Sequence, residues 1–195
     1  MKRSPRPFIL LGSIASVSVA ACSLTHAGTI RDDVADSQYT ALAALPEYAA
    51  VGKITINAPG YLPGTGSGTL ISDFWVLTAG HVVSYPNPSS VVFTIGGNDY
   101  TAVDWIPHAS WNNQLSNGSD IGLVRLSAVI PGVTAAVRYT GSSEIGETAT
   151  IVGFCMTGTG LTGDTLAAGT KRAGQNVLDV LGSAAGHPSL TYPDD

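Results

Sequence analysis

Cysteine is almost missing from this chain. Cys22 and Cys155 are the only two among 195 residues, too few for a disulfide framework. Charge is scarce as well. Asp, Glu, Lys and Arg make up 12% of the residues, and acids outnumber bases 14 to 9, for a formal net charge of −5. An acidic, charge-poor, glycine-rich composition argues against nucleic acid as a partner. It suits a soluble extracellular β protein. Histidine occurs four times, scattered and without ligand spacing, so no metal is implied, and no organic cofactor either. Beyond the N-terminal region there is no apolar run of membrane length, so no transmembrane segment is expected.

The N-terminus reads as a leader. Lys2, Arg3 and Arg6 precede an apolar run from Phe8 to Ala21, and small residues lead to Thr25-His26-Ala27. This is the layout of a secretory signal peptide over residues 1–27, cleaved after Ala27. The run is too short and too rich in serine to span a bilayer. Val19-Ala20-Ala21-Cys22 also has the form of a bacterial lipobox, which would make Cys22 a lipid anchor. The plain signal is favoured, because an acceptable cleavage site lies five residues further on. The leader carries three positive charges and no negative ones, so its removal takes the net charge from −5 to −8. Only Cys155 is then left. Secretion without disulfides is more usual in bacteria, and the expected location is extracellular or the bacterial cell envelope.

Past the leader, Thr29 to Pro46 is polar and then alanine-rich, with Asp32, Asp33 and Asp36 expected in a solvated loop. Val51 to Asn57 alternates apolar and polar residues, as a half-buried strand does. Gly64-Thr65-Gly66-Ser67-Gly68 is glycine-rich but is followed by a β-branched strand, not a helix, which excludes a phosphate-cradling loop. Gly68–Ile71 and Phe74–Leu77 flank the turn pair Ser72-Asp73, which predicts a β-hairpin. The second strand of that hairpin delivers His81 just past its end, fixed in place yet able to reach a substrate. Val91–Ile95 and Tyr100–Ile106 read as strands around a Gly96-Gly97 turn, and His108 as a surface histidine. Asp120 immediately precedes the strand-like Ile121–Leu126. Pro131 to Gly146 reads as a connection with strand-like Val133–Tyr139 inside it. Ala149–Phe154 and Lys171–Val180 read as further strands, with Cys155 as a buried small apolar residue.

Two of these stretches carry a family resemblance. Ser67-Gly68-Thr69-Leu70-Ile71 followed by Trp75-Val76-Leu77-Thr78-Ala79-Gly80-His81 resembles the S-G-x-L-I … W-V-L-T-A-A-H pattern of trypsin-like (chymotrypsin-fold) serine peptidases. Gly80 stands for the second alanine, and Val82 where many animal members have a cysteine. Asp120-Ile121-Gly122-Leu123-Val124-Arg125-Leu126 resembles the family's D-I-A-L-L-R-L, 39 residues after His81. Ile106-Pro107-His108-Ala109-Ser110-Trp111 echoes the element before that aspartate, and Gly153-Phe154-Cys155 the segment that opens the second barrel. Ile30, the only β-branched candidate for the family's activating N-terminus, is followed by Arg31-Asp32-Asp33 instead of V-G-G, so that activation route is not carried over.

The resemblance implies an all-β, trypsin-like double β-barrel over residues 28–195. It implies a serine endopeptidase acting on protein or peptide substrates, with His81 as general base and acid and Asp120 as its orienter. The third triad member should sit in a Gly-Asp-Ser-Gly-Gly turn, and no such turn occurs. After Asp120 come Ser127, Ser142, Ser143, Ser183 and Ser189, none so flanked; Ser183, in Gly182-Ser183-Ala184-Ala185-Gly186, is the nearest imitation. The first barrel, 51–130, is therefore expected to be complete and the second, 131–195, incomplete. Truncation of a longer gene product fits both observations, and the 195 residues alone are expected to be inactive. One alternative is a non-catalytic peptidase homologue that binds a protein or peptide. Another is a lipid-anchored envelope protein with a structural role.

Overall fold

Alternation decides the architecture. In the computed structural model, which describes residues 29–84 and 87–179, β1 (Val51–Asn57) turns Ile54 and Ile56 inward and Lys53 and Thr55 outward. The strand β4 (Ser90–Ile95) does the same with Val91, Phe93 and Ile95. Side chains of a strand point alternately to its two faces, so each strand has one apolar face to cover. Six strands solve this by closing on themselves. With β2 (Gly64–Leu70), β3 (Trp75–Thr78), β5 (Asn98–Pro107) and β6 (Gly122–Leu126), they form an antiparallel barrel in the order β1-β2-β3-β6-β5-β4. Pairing of β1 with β4 completes the ring. Closure leaves no bare edge.

Phe93, Ile54, Leu70, Val76, Val91 and Val124 fill the barrel and are fully buried. Each contributes about 1.5–3 kcal/mol of transfer free energy. The expected hairpin of residues 68–77 is present, with Thr69 opposite Leu77 and Leu70 opposite Val76. The β4–β5 hairpin turns on Gly96 and Gly97, at φ +58° and +80°, between paired Ile95 and Asn98. Two successive left-handed residues are what a two-residue turn of the primed type requires.

Beyond the barrel, β7 (Thr148–Gly153) and β8 (Arg172–Val177) pair antiparallel as a separate two-stranded sheet. The fold is thus a double-barrel type with a complete first barrel and a second represented, among the described residues, by two strands.

The structure corrects three expectations. Asp32 and Asp33 lie in an exposed turn as expected, but Asp36 is not in a solvated loop: it opens the helix α1 (Asp36–Ala43) and accepts from Arg172 Nε (2.6 Å) and Nη2 (3.0 Å). Alanine supports a helix wherever packing allows one, and α1 packs against β8. Val133–Tyr139 joins no ladder. Its alternation arises because Val133 and Ala135 rest on the barrel core, and the amide of Ala136 reaches Leu70 O at 2.8 Å. Cys155 is half-buried, not buried, with Sγ 3.9 Å from Ser67 Oγ. The leader (1–27), the lipobox Cys22, Ser183 and Ser189 lie outside the described residues.

Candidate active site

Two elements bring His81 and Asp120 together. Thr78 ends β3, and its buried hydroxyl donates to Ser67 O at 2.8 Å. That bond pins the end of β3 to β2. Ala79 is still extended, and the chain then turns into the single-turn helix α2 (Gly80–Val83), which carries His81. His81 therefore lies on a short helix directly after the strand, a slightly different setting from the expected strand end. On the other side, Gly118 and Ser119 adopt left-handed φ of +67° and +59° and aim Asp120 at α2 just before β6 begins. The two elements close because residue 122 has no side chain. A Cβ there would lie 2.6 Å from Val83 Cγ2 and 2.9 Å from Ala79 O.

Both oxygens of Asp120 are used. Oδ2 lies 2.7 Å from His81 Nδ1, and Oδ1 accepts the backbone N–H of His81 at 2.8 Å. A carboxylate only accepts, so Nδ1 carries a ring proton, and in the neutral imidazole it is Nε2 that holds the lone pair. The side chains are 34% and 23% exposed. The pair is shielded enough to hold its geometry and open enough to be reached. Such an arrangement takes a proton at Nε2 and steadies the resulting imidazolium from behind.

Trp111 forms part of the wall. Its ring lies against Gly80, where a Cβ would meet Trp111 Cγ at 3.0 Å and Ile121 O at 3.1 Å. The sequence places Gly80 and Trp111 in the resembling elements but not in contact, and the backbone bond from His81 N to Asp120 also has no sequence signal. The glycine in place of alanine was the available clue to a bulky neighbour. His108 is exposed, as expected, with Nδ1 accepting the amide of Ser110 at 3.2 Å. Among the described residues, no three His, Cys, Asp or Glu side chains gather as a metal site, and no helix is long and apolar enough to cross a membrane.

A closed six-stranded barrel, a second sheet and a histidine–aspartate pair at the barrel's end define the chymotrypsin-like class of folds. The trypsin family model matches residues 50–179, and the chain belongs to that family. Among solved structures it is similar to HL collagenase, with a TM-score of 0.55 and 20% identity over 71% of this chain and 60% of that one. It is equally similar to GrC, at a TM-score of 0.55 and 18% identity over 70% of this chain and 63% of that one. The chain therefore spans 60% and 63% of the lengths of these two relatives in fold.

Proposed function

We propose that the chain carries the histidine–aspartate half of a serine endopeptidase that cleaves protein or peptide substrates. His81 takes the nucleophile's proton at Nε2 and returns it to the leaving amine. Asp120 fixes the tautomer and stabilises the imidazolium. The observation that carries this reading is the two-point hold of Asp120 on His81, through ring Nδ1 at 2.7 Å and backbone N–H at 2.8 Å. A carboxylate gripping both ring and backbone sets the direction of the imidazole, which is the orienter's task. The nucleophile is not assigned to any serine of residues 1–195, because none stands in the family's turn; taken alone, these residues are expected to be inactive. The basic, then apolar, then small-residue pattern of residues 1–27 supports secretion.

The test begins with a fluorophosphonate probe on the natural material, reading the mass of any labelled species. A labelled species heavier than residues 28–195 supports the peptidase, with its serine carried on additional chain. A label at the mass of 28–195 points to a serine within it, Ser183 first. Folded protein that stays unlabelled overturns the peptidase reading in favour of a ligand-binding homologue. In labelled material, His81→Ala and Asp120→Asn should each lower kcat by about 10⁴-fold or more. Unchanged turnover in either overturns the assignment of that residue.

A further inference from the structure

A second concave site lies away from His81. A cleft of about 480 Å³ opens between the chain preceding β1, the β4–β5 hairpin and the start of β8, within the size range of small-ligand sites. Pro46, Ala49, Val51, Ile95, Val133 and Phe154 give it apolar walls, and Lys53 and Lys171 are its charged lining residues. No Asp or Glu lines it. Thr94 is the one other polar side chain of the wall, and its hydroxyl is already donated to Asp99 Oδ1 at 2.7 Å.

Lys171 is half-buried, and burial pushes its ammonium below the ordinary lysine value. Its Nζ donates to the neutral carbonyl of Tyr48 at 2.6 Å. Among the described residues neither Lys171 nor Lys53 makes an ion pair. An ammonium has three donors, and a partly desolvated cation without an anion leaves an uncompensated positive field in a low-dielectric wall. This charge stands out in a chain whose net charge is −5.

We infer that this cleft binds an aliphatic monocarboxylate, the carboxylate paired with Lys171 and the tail laid along the apolar wall. A phosphate or a dicarboxylate would leave the apolar surface uncovered. A peptide would bury a row of backbone N–H groups against walls whose one side-chain acceptor is the Thr94 hydroxyl oxygen, at a cost of about 1–3 kcal/mol for each one left unpaired. An aliphatic acid has one polar end and one apolar end, as the cleft does. The site uses neither His81 nor Asp120, so it stands apart from the peptidase reading.

The experiment is calorimetric titration of the full chain with octanoate, with the uncharged octanamide, and with acetate. Octanoate should bind roughly tenfold or more tighter than octanamide, the worth of one charge-assisted contact, and acetate should give no measurable heat. Lys171→Met should reduce octanoate to the octanamide level. Ala49→Phe should fill the cleft and abolish both while leaving Lys171 in place. If Lys171→Met does not fold, Lys171→Arg should keep the octanoate preference. Equal binding of octanoate and octanamide overturns the inference, as does no binding at millimolar concentration. A preference that survives folded Lys171→Met overturns it too, and so does a leucine-ending peptide acid that outcompetes octanoate.

Discussion

Gly80 is the residue on which the setting of His81 turns. Alanine would be the better helix former by about 1 kcal/mol, yet a Cβ at this position would sit 3.0 Å from Trp111 Cγ and 3.1 Å from Ile121 O. The carbonyl belongs to a backbone already bonded to the amide of His108 at 2.7 Å and cannot yield. The indole must move instead, and its Nε1 is buried without a partner, so packing alone holds it. We expect Gly80→Ala to destabilise the chain by about 1–2 kcal/mol, as overpacking does. In a Trp111→Ala background the same change should cost clearly less, because the contact with the indole is then gone and only the one with Ile121 O remains. Urea midpoints of the four proteins measure this, and a cost of Gly80→Ala that is the same in both backgrounds would refute the packing account. The pair also marks where residue-level reading stopped. His81 and Asp120 were legible because each stands in a run of apolar strand residues whose pattern is specific. Trp111 was not, because a contact across a polar loop leaves no periodic trace.

Among the elements, the barrel strands were readable and the pieces around them less so. A barrel strand has one face on the core, and Val51–Asn57 or Ser90–Ile95 must therefore alternate. In α1 only Ala43 is buried, so its apolar positions give no helical stripe to detect. Val133–Tyr139 shows the opposite error, since one-sided packing imitates a strand without supplying ladder partners. The close approach of Gly66 on β2 to Val82 on α2 can be turned into a covalent bond. Val82 occupies the place where many animal family members have cysteine, and it faces Gly66. A Cβ on residue 66 would lie 3.7 Å from the Cβ of Val82, within the 3.5–4.5 Å span that a disulfide bridges. Gly66→Cys with Val82→Cys should therefore oxidise spontaneously. It should stabilise the chain by about 2–3 kcal/mol, the value for a loop of this length. Peptide mapping without reductant and denaturation with and without dithiothreitol would show it. Free thiols at both positions in folded, air-oxidised protein would mean that β2 and α2 are not held at this separation.

The whole molecule is held across its two sheets by the chain that precedes the barrel. Ile30 bridges to Thr159, with its amide on Gly158 O at 2.9 Å. Tyr48 Oη reaches Thr150 Oγ1 at 3.1 Å, and Asp36 grips Arg172 on β8 at two points. Ser67 of β2 adds a contact from the barrel side, its Oγ accepting the amide of Phe154, just past β7, at 2.9 Å. Among these ties the ion pair is the one that pH can break. Hydrogen bonds from Arg172 hold the Asp36 carboxyl below its ordinary value. A group lowered in the folded state gives stability that is fully present above its unfolded value. That stability is lost as pH falls through the folded one. The Asp36 side chain is 40% exposed while that of Arg172 is 13% exposed, so solvent screens the pair on one side only. We expect Asp36→Asn to cost about 1 kcal/mol near pH 7, between the worth of a surface pair and that of a buried one. The difference from the parent should shrink once the pH drops below about 4, where the unfolded carboxylate is itself protonated. Asp33, paired with Arg31 in full solvent, is the control, and Asp33→Asn should change little at any pH in physiological salt. Hydrogen exchange locates the effect: in Asp36→Asn the amides of β8 should exchange faster at pH 7 while those of β1 and β4 keep their protection. Equal acceleration in the barrel strands would mean that the preceding chain does not merely dock the second sheet but carries the stability of the barrel as well.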